Sequence, residues 1–367
     1  MGCKKVVILH LAHWHQLQGG AELQLKYFSE FLISRGYHVH FIYLDRTEKT
    51  VHGGNLTLHP IKFFHCSGRF GKYWFLYKWK LSKILDDIDP DFLISRTRSS
   101  WSGIAARYAS KNQKRHIHYV ASDNDVVFKK PGCYRVFDSI ESVFYKRTFE
   151  GASKVICQNH FQKEALSKRF KIDPTIQTQA APFPESSVQE KSSDVIRVVW
   201  IANMKQLKRP ELFLSLAKRF EGRENLHFTM VGGDQEGKYQ RELNGRKTQK
   251  NFTYIGKADN QEVNRLLAQS HILVNTSDYE GFSNTFVQAW MRGVYVVSLN
   301  SDPSGLMKRN RLGEKTRTFD RLCEVIEDLS SKPAALADRS YDIAKYALEN
   351  HSVEAVYSRS FQEIVDG

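Results

Sequence analysis

The sequence predicts an α/β protein built as two doubly wound domains. Three observations predict it. Short apolar runs of strand length alternate with longer amphipathic stretches along nearly the whole chain, the order expected of repeated strand–helix–strand units. Periodicity fails over residues 178–194 (TQAAPFPESSVQEKSSD), where Pro, Ser and charge collect as in a linker, and it restarts with the strand-like run IRVVWIA at 196–202. At 367 residues the chain is long for one core and comfortable for two. The expected division is a first domain over 1–180, a linker over 181–194, a second domain over 195–351 and a terminal helix over 352–367.

In the first half, residues 6–9 (VVIL) form the opening strand. Gly19 and Gly20 start a helix over 21–35, with Leu23, Tyr27, Phe31 and Leu32 near helical spacing; Gly36 ends it, and 39–44 is the second strand. A glycine turn between strand and helix is placed to meet a phosphate, because the first helical amides are unpaired. His10, His13 and His15 precede that turn without an acidic or Cys companion, so no metal is expected there. Residues 70–87 read as a helix with Tyr73, Trp74, Tyr77, Leu81, Ile84 and Leu85 on an inward face and Phe75, Leu76 and Trp79 elsewhere, among Lys72 and Lys83. Rings mixed with lysines suit a membrane interface; a core helix packed on two sides is the competing reading. A strand over 91–95, a helix over 101–111, a strand over 116–121 ending at Ser122-Asp123-Asn124-Asp125, a strand over 152–159 and a helix over 161–170 follow.

In the second half, the strand at 196–202 runs into Asn203-Met204-Lys205-Gln206-Leu207-Lys208-Arg209-Pro210, basic residues ahead of a helix over 211–220 whose first turn suits Pro210. Strands over 226–231 and 252–255 end at Gly232-Gly233-Asp234 and Gly256-Lys257, and a polar helix over 260–269 leads to the strand 271–274. Residues 275–305, NTSDYEGFSNTFVQAWMRGVYVVSLNSDPSG, carry the most functional information. Glu280-Gly281-Phe282-Ser283-Asn284 is a turn, 285–292 a helix and 294–299 a strand. The helix start offers amides to an anion, Glu280 accepts from hydroxyls, and Gln288 lies about two helical turns on. That combination suits a nucleotide sugar. Helices over 319–330, 333–349 and 353–364 complete the chain.

Composition narrows the setting. The hydrophobic fraction of 41% and charged fraction of 26% are those of a globular protein. Five cysteines show no CxxC and no paired spacing, which fits a reducing compartment. The first apolar run is too short for a signal peptide, and no run approaches the roughly 20 residues of a spanning helix, so a cytoplasmic location is expected. Residues 1–180 hold 28 Lys+Arg against 15 Asp+Glu, and the remainder 26 against 25, so nearly all of the net +14 lies in the first half. An anionic partner met by that half is implied, nucleic acid and an anionic membrane leaflet both being candidates.

The stretch around Glu280 and Gln288 resembles the Glu-x7-Glu signature of the retaining, GT-B-fold glycosyltransferases of family 4, with Gln288 at the second Glu. The element around Asn203 and Lys208 resembles the family's Arg-x4-Lys, with Asn203 at the Arg. The resemblance implies two Rossmann-like domains facing a central cleft, the second holding the donor and the first the acceptor, with a late helix crossing back. It implies donor contacts from Gly19, Gly20, Asn203, Lys208, Gly256, Lys257, Glu280, Gly281, Phe282, Ser283, Asn284, Thr285 and Gln288. It further implies a catalytic group at the end of the strand 116–121, for which Asp123 is the candidate and His118 the reserve. Asp123-Asn124-Asp125 also spells the DxD of the other large glycosyltransferase fold, which the two-domain pattern disfavours; no metal or cofactor is expected. The function implied is transfer of a sugar from a UDP-, GDP- or ADP-linked donor to a lipid-linked or surface-polysaccharide acceptor, with peripheral attachment to the inner face of an anionic membrane. The alternatives are a basic nucleic-acid-binding protein, although no RRM, KH, helix-turn-helix or zinc-finger pattern is present, and a GT-B sugar-nucleotide epimerase.

Overall fold

Central strands of this chain are apolar on both faces, so each sheet needs helices on both sides to leave water. The computed structural model describes residues 4–17, 19–63, 72–128, 136–184, 191, 194–234 and 236–365. Phe70, Cys3, Cys66, Cys133 and most of the expected linker lie outside the described residues. The chain divides after Thr178: the first unit takes the chain up to there and again from Tyr357, and the second is Gln179–Val356.

The first unit contains β1 (Lys5–Leu9), α1 (Gly20–Ser34), β2 (His38–Asp45), β3 (Val51–Gly53), β4 (Leu56–Lys62), α2 (Lys78–Ile88), β5 (Phe92–Arg96), α3 (Ser100–Lys111), β6 (Arg115–Tyr119), α4 (Val136–Gly151), β7 (Lys154–Cys157), α5 (His160–Phe170) and β8 (Thr175–Ile176). Its sheet runs β3-β4-β2-β1-β5-β6-β7-β8 among the described residues, parallel except for the β3–β4 edge. The strands β3 and β4 and the helix α4 have no counterpart in the sequence-based expectation. Polar residues interrupt 51–62, and α4 carries apolar residues on several faces. α4 packs so closely on α3 that a Cβ on Gly103 would lie 1.7 Å from the Phe144 carbonyl oxygen, a contact only glycine permits.

The aromatic segment differs from its helical wheel. Trp74–Tyr77 is a 3₁₀ turn before α2, and its tighter winding of about three residues per turn shifts the phase of the side chains. Tyr73, Tyr77, Leu81 and Leu85 are buried as expected. Phe75, expected outward, turns in to stack on Phe144 at 6.2 Å, with its amide donating to Glu141 at 2.7 Å. Leu76 and Trp79 remain outside, Trp79 with 83% of its surface exposed.

The second unit contains β9 (Ile196–Ile201), α6 (Pro210–Arg219), β10 (Leu226–Val231), α7 (Gln240–Asn244), β11 (Phe252–Gly256), α8 (Asn260–Gln269), β12 (Ile272–Asn275), α9 (Asn284–Trp290), β13 (Tyr295–Ser298), α10 (Leu306–Arg309), β14 (Gly313–Lys315), α11 (Phe319–Ser330) and α12 (Pro333–His351). Its sheet is wholly parallel, in the order β11-β10-β9-β12-β13-β14. Its core joins Trp200, Phe213 and Phe228 to Phe286 and Trp290. α13 (Val353–Val365) begins here, and from Tyr357 it belongs to the first unit. There the Tyr357 hydroxyl donates to the Gln24 side chain at 2.9 Å, and its ring packs 4.6 Å from Phe28.

Several buried or half-buried imidazoles make this fold acid-sensitive. Burial pushes His116 down to about 3 from 6.5. Burial, reinforced by neighbouring histidines, takes His40 and His59 to about 4. The unfolded chain therefore binds more protons than the native one below pH 6.5, so native stability is full above that pH and is lost as pH falls toward 3. Urea midpoints should drop steadily between pH 6.5 and 5, before carboxylates titrate, and His116→Asn should flatten the slope; a midpoint constant over that window would contradict it.

Candidate functional site

In the second unit β9 lies between β10 and β12, so the winding reverses at β9, and open parallel sheets bind ligands outside the carboxyl ends of strands at such a point. The two loops leaving that point are 202–209 after β9 and 276–283 after β12. They are stitched together by backbone and side chain. Thr276 Oγ1 donates to the Lys208 carbonyl at 2.7 Å and accepts from Trp200 Nε1 at 2.9 Å, while the Asp278 amide donates to the Leu207 carbonyl at 2.9 Å. This brings Lys208 Nζ onto Glu280 Oε1 as an ion pair. The same Oε1 accepts from Ser277 Oγ at 2.8 Å and Asn275 Nδ2 at 3.3 Å, leaving Oε2 without a protein partner among the described residues. Asn275 is itself fixed, its Oδ1 accepting from Ser298 Oγ at 3.3 Å. The pair is partly shielded, with 23% of the Lys208 and 14% of the Glu280 side chain exposed.

The neighbouring cations differ from each other. Arg209, in the left-handed region at φ 49°, bonds Glu211 and, at 3.1 Å, Asp278, and these bonds raise its pKa. Lys205 is exposed, and its ammonium makes no hydrogen bond or salt bridge among the described residues. Asn203 is exposed, and its carbonyl accepts from the Lys205 amide at 2.8 Å. Behind these loops, Gly232 has φ 151°, and a Cβ there would lie 1.8 Å from the Ala202 carbonyl oxygen. Its amide donates to the Gly256 carbonyl at 2.7 Å, and Lys257 next to Gly256 is exposed.

Other predicted residues have structural partners. Ser283 caps α9 by position, its hydroxyl 2.8 Å from that of Thr285, with Asn284 beginning the helix and Gly281 half-buried before it. Phe282 is buried against Trp290 and His351, so its ring serves packing rather than a ligand. Gln288 is buried, and Nε2 donates to Asn260 Oδ1 at 2.7 Å and Asn264 Oδ1 at 3.1 Å, tying α9 to α8. Both of its amide hydrogens are thus engaged within the protein.

In the first unit Gly19 and Gly20 stand at the first turn of α1, where Glu22 Oε2 would lie 2.3 Å from a Cβ on Gly19. His10 Nε2 lies 2.9 Å from Glu22 Oε1; although burial would raise the Glu22 pKa, the His10 hydrogen bond and charge hold it below 4.5. Asp123 Oδ1 accepts from Gln162 Nε2 at 2.8 Å and Asn159 Nδ2 at 3.1 Å. Asp125 accepts from the Ala121 and Ser122 amides, so the two carboxylates of the DxD pattern are held by different donors, Asp123 by side chains and Asp125 by backbone. His118 is a correction: it has no exposed surface, sits 2.9 Å from Ser95 Oγ and 3.3 Å from Tyr145 Oη, and burial holds it well below 6.5. A ring with no surface cannot approach a sugar. The His13 ring packs, tilted, 3.8 Å from Trp14 and 4.3 Å from His15, while His10 serves Glu22, so the three histidines do not share one ligand point. Asn275 and Ser277, which hold Glu280, escaped the sequence analysis; polar residues directly after an apolar strand were their one signal.

Residues 196–330 match the family model described as glycosyl transferases group 1, and residues 18–178 the one described as Glycosyltransferase Family 4. Both halves of the chain are glycosyltransferase domains. Solved structures show the same GT-B architecture. Sucrose-phosphate synthase from Thermosynechococcus elongatus superposes with TM-score 0.77 at 14% identity, over 99% of this chain and 98% of that one. WaaG, a glycosyltransferase involved in lipopolysaccharide biosynthesis, gives 0.73 at 13% identity over 99% and 100%. HepE from Anabaena, in complex with UDP-glucose, gives 0.71 at 13% identity over 99% and 100%. No curated protein matches the chain.

The glycosyltransferase loops around Lys208 rest on the approach of Gly232 to Ala202. Gly232→Ala should cost about 3 kcal/mol, lowering the thermal midpoint by roughly 6–12 °C. A midpoint within one or two degrees of wild type would show that the close approach is not limiting.

Proposed function

We propose that the protein is a retaining, metal-independent glycosyltransferase that moves a sugar from a nucleotide-sugar donor to a lipid-linked or cell-surface polysaccharide acceptor. The observation that carries this reading is the placement of Lys208 and Glu280 together at the switch point of the second unit. Breaking the donor's glycosidic bond leaves charge on a nucleoside diphosphate. Lys208 stabilises that charge, aided by the amides around Ser283, Asn284 and Thr285. The open Oε2 of Glu280 accepts from sugar hydroxyls. Gln288 contributes through its remaining carbonyl oxygen, and the backbone around Gly256 and Lys257 lines the base. Asp123, with Oδ1 fixed by Asn159 and Gln162, is the candidate group toward the acceptor, and the resemblance to family 4 assigns Gly19 and Gly20 to the donor phosphates. By resemblance to family 4 the donor phosphate acts as base toward the acceptor hydroxyl, so no carboxylate nucleophile is needed. A nucleotide-sugar donor is supported by HepE, whose solved complexes hold UDP and UDP-glucose.

Lys208→Ala and Glu280→Ala should each lower kcat/KM for the donor by about 10²–10³, the size of losing one group that meets developing charge. Product anomeric configuration is read by proton NMR in the same assay. Wild-type turnover by both variants on a proven donor, or an inverted product, would overturn the mechanism.

We further infer a peripheral contact with an anionic membrane. Leu76 and Trp79 are exposed beside Lys72, Lys78 and Lys83, and Lys78 Nζ lies 5.6 Å from the Trp79 ring. No helix among the described residues is long and apolar enough to cross a membrane. Rings at headgroup depth with lysines on anionic lipid fit such a surface. Leu76→Ser with Trp79→Ser should cut sedimentation with phosphatidylglycerol vesicles at least fivefold and leave donor binding intact; unchanged sedimentation would refute the contact.

A further inference from the structure

The Lys208–Glu280 pair has a feature that simple ion pairs lack: the carboxylate oxygen that meets Lys208 already has two other donors. Ser277 Oγ and Asn275 Nδ2 both reach Glu280 Oε1. Both are buried, and Asn275 is braced by Ser298 and the Ser277 amide. If the ammonium leaves, the carboxylate keeps two neutral hydrogen bonds and its position. Lys208 is free to leave. Its amide is held by the Lys205 carbonyl and its own carbonyl by Thr276, so the four-carbon side chain can swing without moving the backbone. Arg209 cannot substitute, because Glu211 and Asp278 hold its guanidinium.

We propose that Lys208 and Glu280 form an exchangeable pair, in which a nucleoside diphosphate takes Lys208 from Glu280 while Ser277 and Asn275, as positioning residues, keep the Glu280 carboxylate aimed at the sugar. This rests on the donor-site reading above. A diphosphate offers more negative charge and more acceptor oxygens than one carboxylate, so it wins the ammonium. The exchange links two events: the phosphates engage Lys208, and Glu280 is turned over to sugar hydroxyls. Donor binding then includes the loss of the ion pair, a penalty of about two- to fivefold in affinity for a partly exposed pair.

The exchange makes a prediction opposite to that of a simple contact residue. Glu280→Gln keeps the shape and an acceptor oxygen for Ser277 and Asn275 but removes the competing charge. Calorimetric titration with UDP, GDP and ADP should show whichever of them wild type binds bound about two- to fivefold more tightly by E280Q, while turnover of the matching nucleotide sugar falls. Lys208→Met should lose at least tenfold in the same titration. Ser277→Ala, which leaves the charge pair in place, should lower kcat about tenfold without tightening the diphosphate, and Ser277→Thr, which restores the hydroxyl, should recover most of kcat. Equal or weaker diphosphate affinity in a folded E280Q overturns the exchange, and an unchanged kcat in Ser277→Ala overturns the positioning role even if E280Q does not fold. If Lys208→Met binds as wild type does, or wild type binds none of the three, the donor-site reading fails with it; if Lys208→Met loses binding and E280Q gains none, the exchange alone fails.

Discussion

The reversal of winding at β9 is the constraint on which the second unit depends. Parallel strands present their carboxyl ends on one edge, and connections that leave a central strand in opposite directions part there. In this chain the parting strands are β9 and β12, paired through Val198 and Ile272, so two loops far apart in sequence emerge side by side. Thr276 and Trp200 then lock the loops together before any charged group enters. Lys208 and Glu280 meet because the sheet brings them together, and their shielding follows from that placement.

Charge is distributed differently in the two units. The second is nearly neutral and pairs two of its site cations, Lys208 with Glu280 and Arg209 with Glu211 and Asp278. The first holds most of the net positive charge and buries part of its polar chemistry. Arg96 is enclosed near Tyr119, Glu22 and Asp125, and His116 and His118 share the Ser95 hydroxyl. Buried groups of this kind make the interior specific at the expense of acid resistance, since a neutral imidazole with no surface resists protonation only as long as the fold excludes water. What the first unit leaves outside is its lysines and a few rings, Trp79 above all.

Legibility in the sequence tracked how local each signal was. The strands β9 to β13 of the second unit were readable because runs such as IRVVWIA and HILV are strongly apolar, whereas the short edge strand β14 (Gly313–Lys315), with its charged residues, was not. The glycines of the turn after β1, Pro210 at the start of α6 and Gly36 after α1 were readable because each answers a backbone requirement within a few residues. The edge pair β3–β4 was not: histidines, Thr57 and Pro60 break the apolar pattern, and pairing with β2 holds that strand in the sheet. α4 was hidden for a related reason, since its buried face is defined by the approach of Gly103 on another helix. Phe75 was misplaced because a 3₁₀ turn changed the phase on which the wheel relied.

Functional residues divide along the same line. Sequence alone determined the α/β alternation and the basic first half, because those are properties of neighbours along the chain, while Lys208, Glu280 and Gln288 stood out through the resemblance of their motifs to family 4. Tertiary structure alone decided that Lys208, Ser277 and Asn275 all donate to one oxygen of Glu280, that Gln288 spends its amide hydrogens on Asn260 and Asn264, and that His118 is sealed in the interior. A hydrogen-bond partner is chosen by which loops a sheet sets beside each other and by what its helices cover, and neither is written in the spacing of residues along one strand.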